Sequence, residues 1–345
     1  MRYLPPAQRD FRVARHTGQP AAALTAAVAG VLVLAACSGM GGGSAAAPRV
    51  SATITVAATP GVPDAPLYIG IRNGLFKAAG LTIRLAPAVA IKTELARVRA
   101  GSADIAFADY ADVFYANVQR PSPDLKIVAD GYDCGPNVME VLTLPGSHIT
   151  TPQDLANAKI GTPLPQEMTP SSSRPYSLET TATWAALNND GVSPSGIRWD
   201  PMPAPSLDFA LRTHQVDAIL VTEPTITDAE TALGAVPVLD SCSGPTANLP
   251  LEGYVTTAAF AKRNPAVVQA FRSALAKAQA QAATSAPVQT ALEDYAKMSK
   301  QAAALVTVGT YPTTLAADNV ERVASLMFFF NAFTTPVNVA QMIVR

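Results

Sequence analysis

One pattern occurs twice in the chain, as Arg99-Ala-Gly-Ser-Ala-Asp104-Ile-Ala-Phe-Ala-Asp109 and as Arg212-Thr-His-Gln-Val-Asp217-Ala-Ile-Leu-Val-Thr-Glu223. In each copy an arginine lies five residues before an aspartate, an apolar run follows, and a carboxylate comes just after that run. A short apolar run of this kind indicates a buried strand. Ligands of open α/β sheets bind beyond the carboxyl ends of the strands, so Asp109 and Glu223 are candidate site residues. The alternative is that both carboxylates only cap the helices that follow.

Short strands and helices alternate around these two copies. Strands are predicted at residues 53–58, 81–85, 103–108, 125–129 and 138–144, and then at residues 159–162, 197–202, 216–221 and 236–239. Helices are predicted at residues 64–77, 91–100, 177–188 and 206–213, and the chain is mostly helical after Pro265. This alternation predicts two α/β lobes, each built on a mainly parallel sheet.

Composition excludes two classes of protein. The 345 residues are 49% hydrophobic and 15% charged, with a formal net charge of −1, so no basic surface for nucleic acid is expected. The one long uncharged apolar stretch, residues 21–34, is too short to span a bilayer. A polytopic transporter and a nucleic-acid-binding protein are therefore excluded.

The first 36 residues are predicted to be a secretory signal. A basic segment precedes the apolar stretch. The apolar stretch is followed directly by Ala35-Ala36-Cys37, so that the signal ends in the sequence Leu34-Ala35-Ala36-Cys37. This ending resembles the lipobox of bacterial lipoproteins, so Cys37 is the expected site of lipid modification (palmitate). Residues 37–51 then form a flexible Gly/Ser/Ala tether to the cell membrane. The alternative is an ordinary cleaved signal in which Cys37 has no role.

Two cysteines remain after Cys37, namely Cys134 and Cys242. In an oxidising compartment an even number of cysteines favours a disulfide. Two buried free thiols are the alternative, because sequence does not show the distance between them.

Catalytic motifs are missing from the sequence. His148 and His214 have no partner at metal-ligand spacing, and the chain contains no nucleophile elbow, no phosphate-binding loop and no dinucleotide fingerprint. We therefore expect a protein that is not an enzyme, with no catalytic residues, no cofactor and no metal.

Several segments resemble one family of ABC-importer lipoproteins. They are Pro66-Leu-Tyr-Ile-Gly-Ile-Arg-Asn-Gly-Leu-Phe-Lys-Ala-Ala-Gly-Leu81, Gly101-Ser-Ala-Asp-Ile-Ala106, Glu223-Pro224 and Ala259-Phe-Ala-Lys-Arg-Asn-Pro265. Together they resemble the nitrate, sulfonate, taurine and thiamine-precursor branch of the solute-binding proteins. The resemblance implies a type II periplasmic-binding fold with two lobes joined by a two-segment hinge.

The resemblance also implies a division of the chain. Residues 52–132 and 245–345 would form lobe 1, and residues 133–244 would form lobe 2. The two hinge segments would lie near residues 130–140 and 238–254. Cys134 and Cys242 fall within these segments, so a disulfide would connect them.

Ligand contacts are expected from four segments by analogy with this family: residues 59–66, 109–112, 177–180 and 222–223. The candidate ligand-binding side chains are Asp64, Tyr68, Asp109, Tyr110, Asp112, Tyr176, Ser177, Thr180, Thr222 and Glu223. The two tyrosines at 110 and 176 are candidates for stacking on a planar solute, and ordinary packing is the alternative.

The hypotheses about the solute differ in its charge. The carboxylates among the candidates favour a nitrogen-containing organic solute, including heterocyclic amines. A sulfonate- or nitrate-type anion is the alternative, with donors offered by Ser171, Ser172, Ser173 and Arg174. Two further alternatives are a secreted enzyme on the same fold and a lipoprotein that serves as a partner or sensor protein. The leading hypothesis is an extracytoplasmic monomer, anchored by lipid, that delivers a small-molecule solute to an ABC permease.

Overall fold

The computed structural model describes residues 50–86, 93–120 and 124–344. The predicted signal at residues 1–36, the lipidation site Cys37 and nearly all of the tether at residues 37–51 lie outside the described residues. So do residues 91 and 92, with which the predicted helix 91–100 would begin.

Ten strands of the described chain form two five-stranded sheets. The first sheet has the order β2-β1-β3-β10-β4 and the second has the order β7-β6-β8-β5-β9. The strands of the first sheet are β1 Ala52–Ala57, β2 Leu81–Leu85, β3 Ile105–Asp109, β4 Leu125–Asp133 and β10 Pro250–Thr257. Those of the second are β5 Met139–Thr143, β6 Lys159–Pro163, β7 Arg198–Met202, β8 Ala218–Thr222 and β9 Val236–Asp240.

Four strands of each sheet run in one direction and the fifth is reversed. The reversed strand is β10 in the first sheet, antiparallel to β3 and β4, and β5 in the second, antiparallel to β8 and β9. Each reversed strand is the first one formed after the chain has passed to that sheet. The mainly parallel α/β fold expected from the sequence is thus confirmed, with one reversed strand per sheet that the alternation did not reveal.

The repeated sequence pattern performs the same structural task in both sheets. Asp104 accepts the backbone N–H of Thr55 in β1 at 2.8 Å, and Asp217 accepts the backbone N–H of Lys159 in β6 at 2.7 Å. The backbone carbonyl of each aspartate also accepts a threonine hydroxyl from the reversed strand. Each aspartate therefore fixes the register of three neighbouring strands, which explains its place before β3 and β8.

Helices cover both sheets. They are α1 Ala65–Arg72, α2 Leu75–Ala78, α3 Glu94–Arg99, α4 Tyr110–Val118, α5 Leu178–Asn189, α6 Leu207–Arg212, α7 Thr225–Leu233, α8 Ala258–Arg263, α9 Pro265–Gln281, α10 Ser285–Asp294, α11 Lys300–Leu305, α12 Ala317–Phe329 and α13 Val339–Met342. The single helix predicted over residues 64–77 is two helices in the structure. The break occurs because Gly74 adopts the left-handed backbone conformation, with φ at 69°.

The chain passes between the sheets twice, from Asp133 to Met139 and back from Asp240 to Pro250. Cys134 lies on the first passage and Cys242 on the second, and they form a disulfide with Cα atoms 5.3 Å apart. Both cysteines are buried. The predicted disulfide is therefore confirmed, and it joins the two passages covalently.

Among the described residues, no helix combines the length and the apolar character that crossing a bilayer requires. The helices instead bury apolar faces on the sheets, and the largest fully buried side chains include Tyr68, Tyr110, Tyr176 and Tyr254.

Candidate functional site

A cleft lies where the carboxyl ends of β3 and β8 meet the first residues of the reversed strands. One cavity there has a volume of about 450 Å³, including the part open to solvent. It is lined by twelve residues, six from segments next to the first sheet and six from segments next to the second. The first sheet supplies Val62, Pro63, Asp109, Tyr132, Leu251 and Glu252, and the second supplies Val138, Met139, Leu178, Glu179, Thr222 and Glu223. Because seven of these side chains are apolar or aromatic, we name this cavity the apolar compartment.

A second cavity of about 700 Å³ adjoins the first, since Pro63, Asp109 and Glu252 line both. Its remaining lining residues are Thr59, Asp64, Glu94, Leu95, Phe107, Ala108, Asp112 and Gln166. We name this cavity the acidic compartment because five of its lining side chains are carboxylates.

Asp109 and Glu252 lie side by side at the boundary between the two compartments. They are directly opposite each other in the antiparallel pairing of β3 with β10. Like charges at such positions repel. Burial raises the pKa of Glu252 to about 8, with further contributions from Glu179 and Glu94. Burial, and then the charges of Glu179 and Asp112, holds the pKa of Asp109 well above its usual value.

Asp64 is the most deeply buried carboxylate of the acidic compartment, with 1% of its surface exposed. Its Oδ1 accepts the backbone N–H of Gly61 at 2.9 Å, whereas its Oδ2 is buried without a hydrogen-bond partner among the described residues. Burial raises its pKa well above the usual value, and the charge of Glu252 acts in the same direction. Buried acceptors without partners are uncommon in folded proteins and call for a physical explanation.

The wall of the acidic compartment is completed by a segment that precedes α5. Asp112 accepts the backbone N–H of Glu167 at 3.1 Å, and Thr93 donates its hydroxyl hydrogen to the Glu167 carboxylate at 2.9 Å. Burial raises the pKa of Asp112 to about 7 despite the Glu167 N–H, which acts in the opposite direction. These contacts join residues next to the first sheet to the segment between β6 and α5.

Glu223 differs from the other carboxylates because both of its oxygens are occupied. Its Oε1 accepts from the Thr227 hydroxyl at 3.0 Å and from the Thr307 backbone N–H at 2.9 Å. Its Oε2 accepts the Thr227 backbone N–H at 3.1 Å. Glu223 therefore connects the start of α7 to the segment after α11, besides lining the apolar compartment. Its counterpart Asp109 caps α4 by accepting the N–H groups of residues 111 and 112.

The structure brings five of the ten predicted ligand-binding residues to the cleft: Asp64, Asp109, Asp112, Thr222 and Glu223. The other five do not line either compartment: Tyr68, Tyr110, Tyr176, Ser177 and Thr180.

Each of these five residues has a packing or capping role. The ring of Tyr68 packs on Tyr295, with ring centroids 4.7 Å apart. The hydroxyl of Tyr110 donates to Asp130 at 2.8 Å, and Tyr176 is buried. Ser177 and Thr180 form a capping box that begins α5. Leu178 and Glu179, which lie between these two capping residues, line the apolar compartment instead.

Sequence reasoning missed Glu252, Met139 and Leu251, which line the cleft from the reversed strands. A residue on a reversed strand has no periodicity that marks it as lying beside the carboxyl ends of other strands. The sequence offered one indication for these three residues, which is that each lies on or next to a segment where the chain passes between the two sheets.

Chemically, the cleft can accept hydrogen bonds and positive charge. Seven carboxylates line its two compartments: Asp64, Glu94, Asp109, Asp112, Glu179, Glu223 and Glu252. None of the described lining residues is lysine, arginine or histidine. In the described part of the chain, no group of three or more His, Cys, Asp or Glu side chains is placed to hold a metal ion.

The family model described as NMT1/THI5 like matches residues 64–290, which is more than half of the chain. The chain belongs to this NMT1/THI5 like family. A comparison with curated proteins finds no match.

Solved structures share the fold of this NMT1/THI5 like chain at low identity. It is similar to the alkanesulfonate-binding protein SsuA from Xanthomonas axonopodis pv. citri bound to MOPS, with 16% identity, a TM-score of 0.66 and coverage of 85% of this chain and 98% of that one. It is similar to the ligand-binding component of an ABC-type import system from Staphylococcus aureus, with 15% identity, a TM-score of 0.65 and coverage of 85% and 96%. The desulfurization enzyme DSZB matches with 17% identity, a TM-score of 0.63 and coverage of 84% and 96%. These matches confirm the periplasmic-binding-protein fold.

Proposed function

We propose that this protein is the solute-binding component of an ABC importer and that its solute is a small, nitrogen-containing organic cation. The observation that carries the proposal is the charge of the cleft. Seven carboxylates line the two adjoining compartments, and the described lining residues include no basic side chain. Amines and protonated nitrogen heterocycles, which donate hydrogen bonds and carry positive charge, match this lining.

The size of the electrostatic effect favours a cation over an anion. Two unit charges 4 Å apart interact by about 4 kcal/mol at the effective dielectric constant typical near a protein surface. For each carboxyl that is ionised, this interaction offsets the desolvation cost of an ammonium group, whereas for a sulfonate it adds to that cost. The four residues considered as anion donors, Ser171 to Arg174, do not line either compartment. The sulfonate-binding relative thus supports the fold of this chain rather than the charge of its solute.

Binding by closure of two lobes is part of the proposal. Residues 52–132 and 245–345 form lobe 1 and residues 133–244 form lobe 2, with the passages near residues 130–140 and 238–254 as the hinge. Contributions to the apolar compartment from segments next to both sheets support this division. A solute that contacts both lobes stabilises the closed state, which a permease can recognise.

We also propose that the protein acts outside the cytoplasm as a monomer held to the membrane by lipid on Cys37. The sequence Leu34-Ala35-Ala36-Cys37 supports the anchor. A Cys37→Ser variant is expected to move from the membrane fraction to the soluble fraction, and intact mass spectrometry of the wild type should show an acylated Cys37. Wild-type protein without acyl mass would contradict the anchor and leave the solute proposal standing.

The solute class is tested by thermal shift and calorimetry on the purified full-length protein. Organic amines and protonated heterocycles are compared with alkanesulfonates of matched size. A cation at one hundred times its dissociation constant should stabilise the protein by about 2.7 kcal/mol. Asp64→Asn should reduce that stabilisation, and Glu321→Gln, which changes an exposed carboxylate in α12, should not.

Three outcomes separate the hypotheses. Stabilisation by cations without chemical change in the recovered molecule supports the proposal. Stabilisation by alkanesulfonates alone would refute the cationic solute. Conversion of the bound molecule to a product would show an enzyme on this fold instead.

A further inference from the structure

We propose that the solute is an amphiphilic organic cation, with its charged nitrogen in the acidic compartment and an apolar body in the apolar compartment. This inference rests on the proposed function and specifies the shape of the molecule. Its basis is the unequal chemistry of two cavities that share Pro63, Asp109 and Glu252 and therefore adjoin.

The charged end is placed by acceptor atoms that lack partners. The Oδ2 of Asp64 and the Oε2 of Glu252 are buried and have no hydrogen-bond partner among the described residues, and both residues line the acidic compartment. An ammonium or ring N–H group in that compartment supplies a donor for these acceptors, which otherwise carry an uncompensated desolvation cost.

Two other carboxylates of the acidic compartment accept protein donors, and neither has a buried oxygen without a partner among the described residues, in contrast to Asp64 and Glu252. Glu94 accepts the Thr59 hydroxyl at 2.9 Å, and Asp112 accepts the N–H of Glu167. These two residues contribute negative charge to the acidic compartment. Directional hydrogen bonds to the solute are thus expected at Asp64 and Glu252.

The apolar end is placed by the lining of the other compartment. Seven of its twelve residues are apolar or aromatic: Val62, Pro63, Tyr132, Val138, Met139, Leu178 and Leu251. The carboxylate of Glu223 belongs to the same wall, but both of its oxygens accept protein donors. Of the other three carboxylates in this lining, Asp109 and Glu252 lie at the boundary with the acidic compartment, which leaves Glu179 as the one carboxylate acceptor for a second positive charge away from that boundary among the described lining residues.

The difference between the two ends follows from the repeated strands. In the first sheet, the residues paired at the mouth of the cleft are Asp109 of β3 and Glu252 of β10. In the second sheet, the pair at the corresponding place is Thr222 of β8 and Met139 of β5. One copy of the arrangement therefore presents two carboxyls, and the other presents a hydroxyl and a thioether.

Four probes test the shape on the full-length wild-type protein by isothermal titration calorimetry. They are 2-phenylethylamine, with one ammonium and an apolar body, ethylamine, which lacks the ring, 1,4-diaminobutane, with two ammonium ends, and the anion 3-phenylpropionate. We expect 2-phenylethylamine to bind at least about tenfold more tightly than either ethylamine or diaminobutane, because its ring leaves water for an apolar cavity. The phenylpropionate anion should show no binding.

Two variants locate the ends of the molecule. Asp64→Asn should weaken 2-phenylethylamine and ethylamine by a similar factor, whereas Met139→Gln should weaken only 2-phenylethylamine. Glu321→Gln is the matched control for the first variant and should change neither affinity.

The outcomes distinguish this inference from the function on which it rests. Equal affinities for 2-phenylethylamine and ethylamine, or tighter binding of diaminobutane, would overturn the amphiphilic shape and leave a cation-binding protein. Failure of all three amines to bind would overturn the shape and the cationic solute together. Because the probe series uses the wild type, the test stands even if a variant fails to fold.

Discussion

Replacing Glu252 by glutamine should make the empty protein more stable at alkaline pH while weakening the capture of cations. The carboxyl lies opposite Asp109 and lines both compartments. Burial, followed by the charges of Glu179, Glu94 and Asp112, raises the pKa of Glu252 from 4.5 to about 8. Glutamine has nearly the same shape and does not ionise.

The direction of the effect follows from proton linkage. When folding raises the pKa of an acid, the folded state retains a proton that the unfolded chain releases, so stability falls as pH rises between the two pKa values. For Glu252 this interval runs from 4.5 to about 8. One pKa unit corresponds to about 1.36 kcal/mol, so the interval corresponds to about 5 kcal/mol before screening. Solvent at this partly exposed site reduces the expected cost to about 2–3 kcal/mol.

The expected readout is a difference between two pH profiles. Near pH 4 the wild type and Glu252→Gln should unfold at similar temperatures, because the wild-type carboxyl is protonated in both states. At pH 8.5 the variant should unfold at least about 5 °C higher, given the usual relation between free energy and melting temperature for a chain of this size.

The measurement is a melting-temperature series from pH 4 to 8.5 on ligand-free protein, with Glu321→Gln as the control. The control should follow the wild type at every pH. Superimposable profiles for wild type and Glu252→Gln would refute the reasoning. So would a variant whose melting temperature falls between pH 4 and pH 8.5 by as much as that of the wild type.

Three further substitutions give expected outcomes in urea denaturation. Replacing Cys134 and Cys242 by serine should cost about 4–5 kcal/mol, since the disulfide closes a loop with a sequence separation of 108; reduced wild type should match the double variant, and unequal values would contradict a loop-closure effect. Gly253→Ala would place a methyl group in steric conflict with the Tyr110 hydroxyl oxygen and should cost about 1–3 kcal/mol; an unchanged midpoint would mean that the ring moves aside freely. Glu223→Ala removes the acceptor of two backbone N–H groups and should cost about 2–3 kcal/mol; wild-type stability in that variant would count against its connecting role.

Nine of the ten described strands, β1 to β9, could be predicted from sequence because they depend on local physics, whereas no strand was predicted at β10. The apolar runs after Asp104 and Asp217 form β3 and β8. Each aspartate side chain accepts a backbone N–H from a neighbouring parallel strand, which accounts for its repeated position. The direction of β5 and β10 could not be predicted in this way. A strand's orientation depends on where the chain returns from the other sheet, and period and propensity do not encode that path.

The residues of the candidate cleft could be predicted where they lie at the end of a strand. They could not be predicted where the packing of the core determines whether a side chain reaches the cleft. Asp109 ends β3 and Glu223 follows β8, so the sequence indicated a cleft at the carboxyl ends of these strands. Tyr68 and Tyr110 have the composition of ligand-contacting residues, but each is fully buried in the core. Of their neighbours along the chain, Asp109 lines the cleft, whereas Leu67 and Ile69 on either side of Tyr68 are themselves buried in the core.

The acidic lining is difficult to explain as a structural feature. Stability alone would favour apolar side chains, or carboxylates paired with basic groups, at positions such as Asp64 and Glu252. The structure instead retains carboxyl oxygens there that have no partner in the described part of the chain, and burial raises the pKa of both groups. Natural proteins tolerate such local instability chiefly at functional sites, where a ligand relieves it. A bound cation would favour ionisation of these carboxyls, so its binding should release protons, in an amount measured by calorimetry in buffers of different ionisation enthalpy.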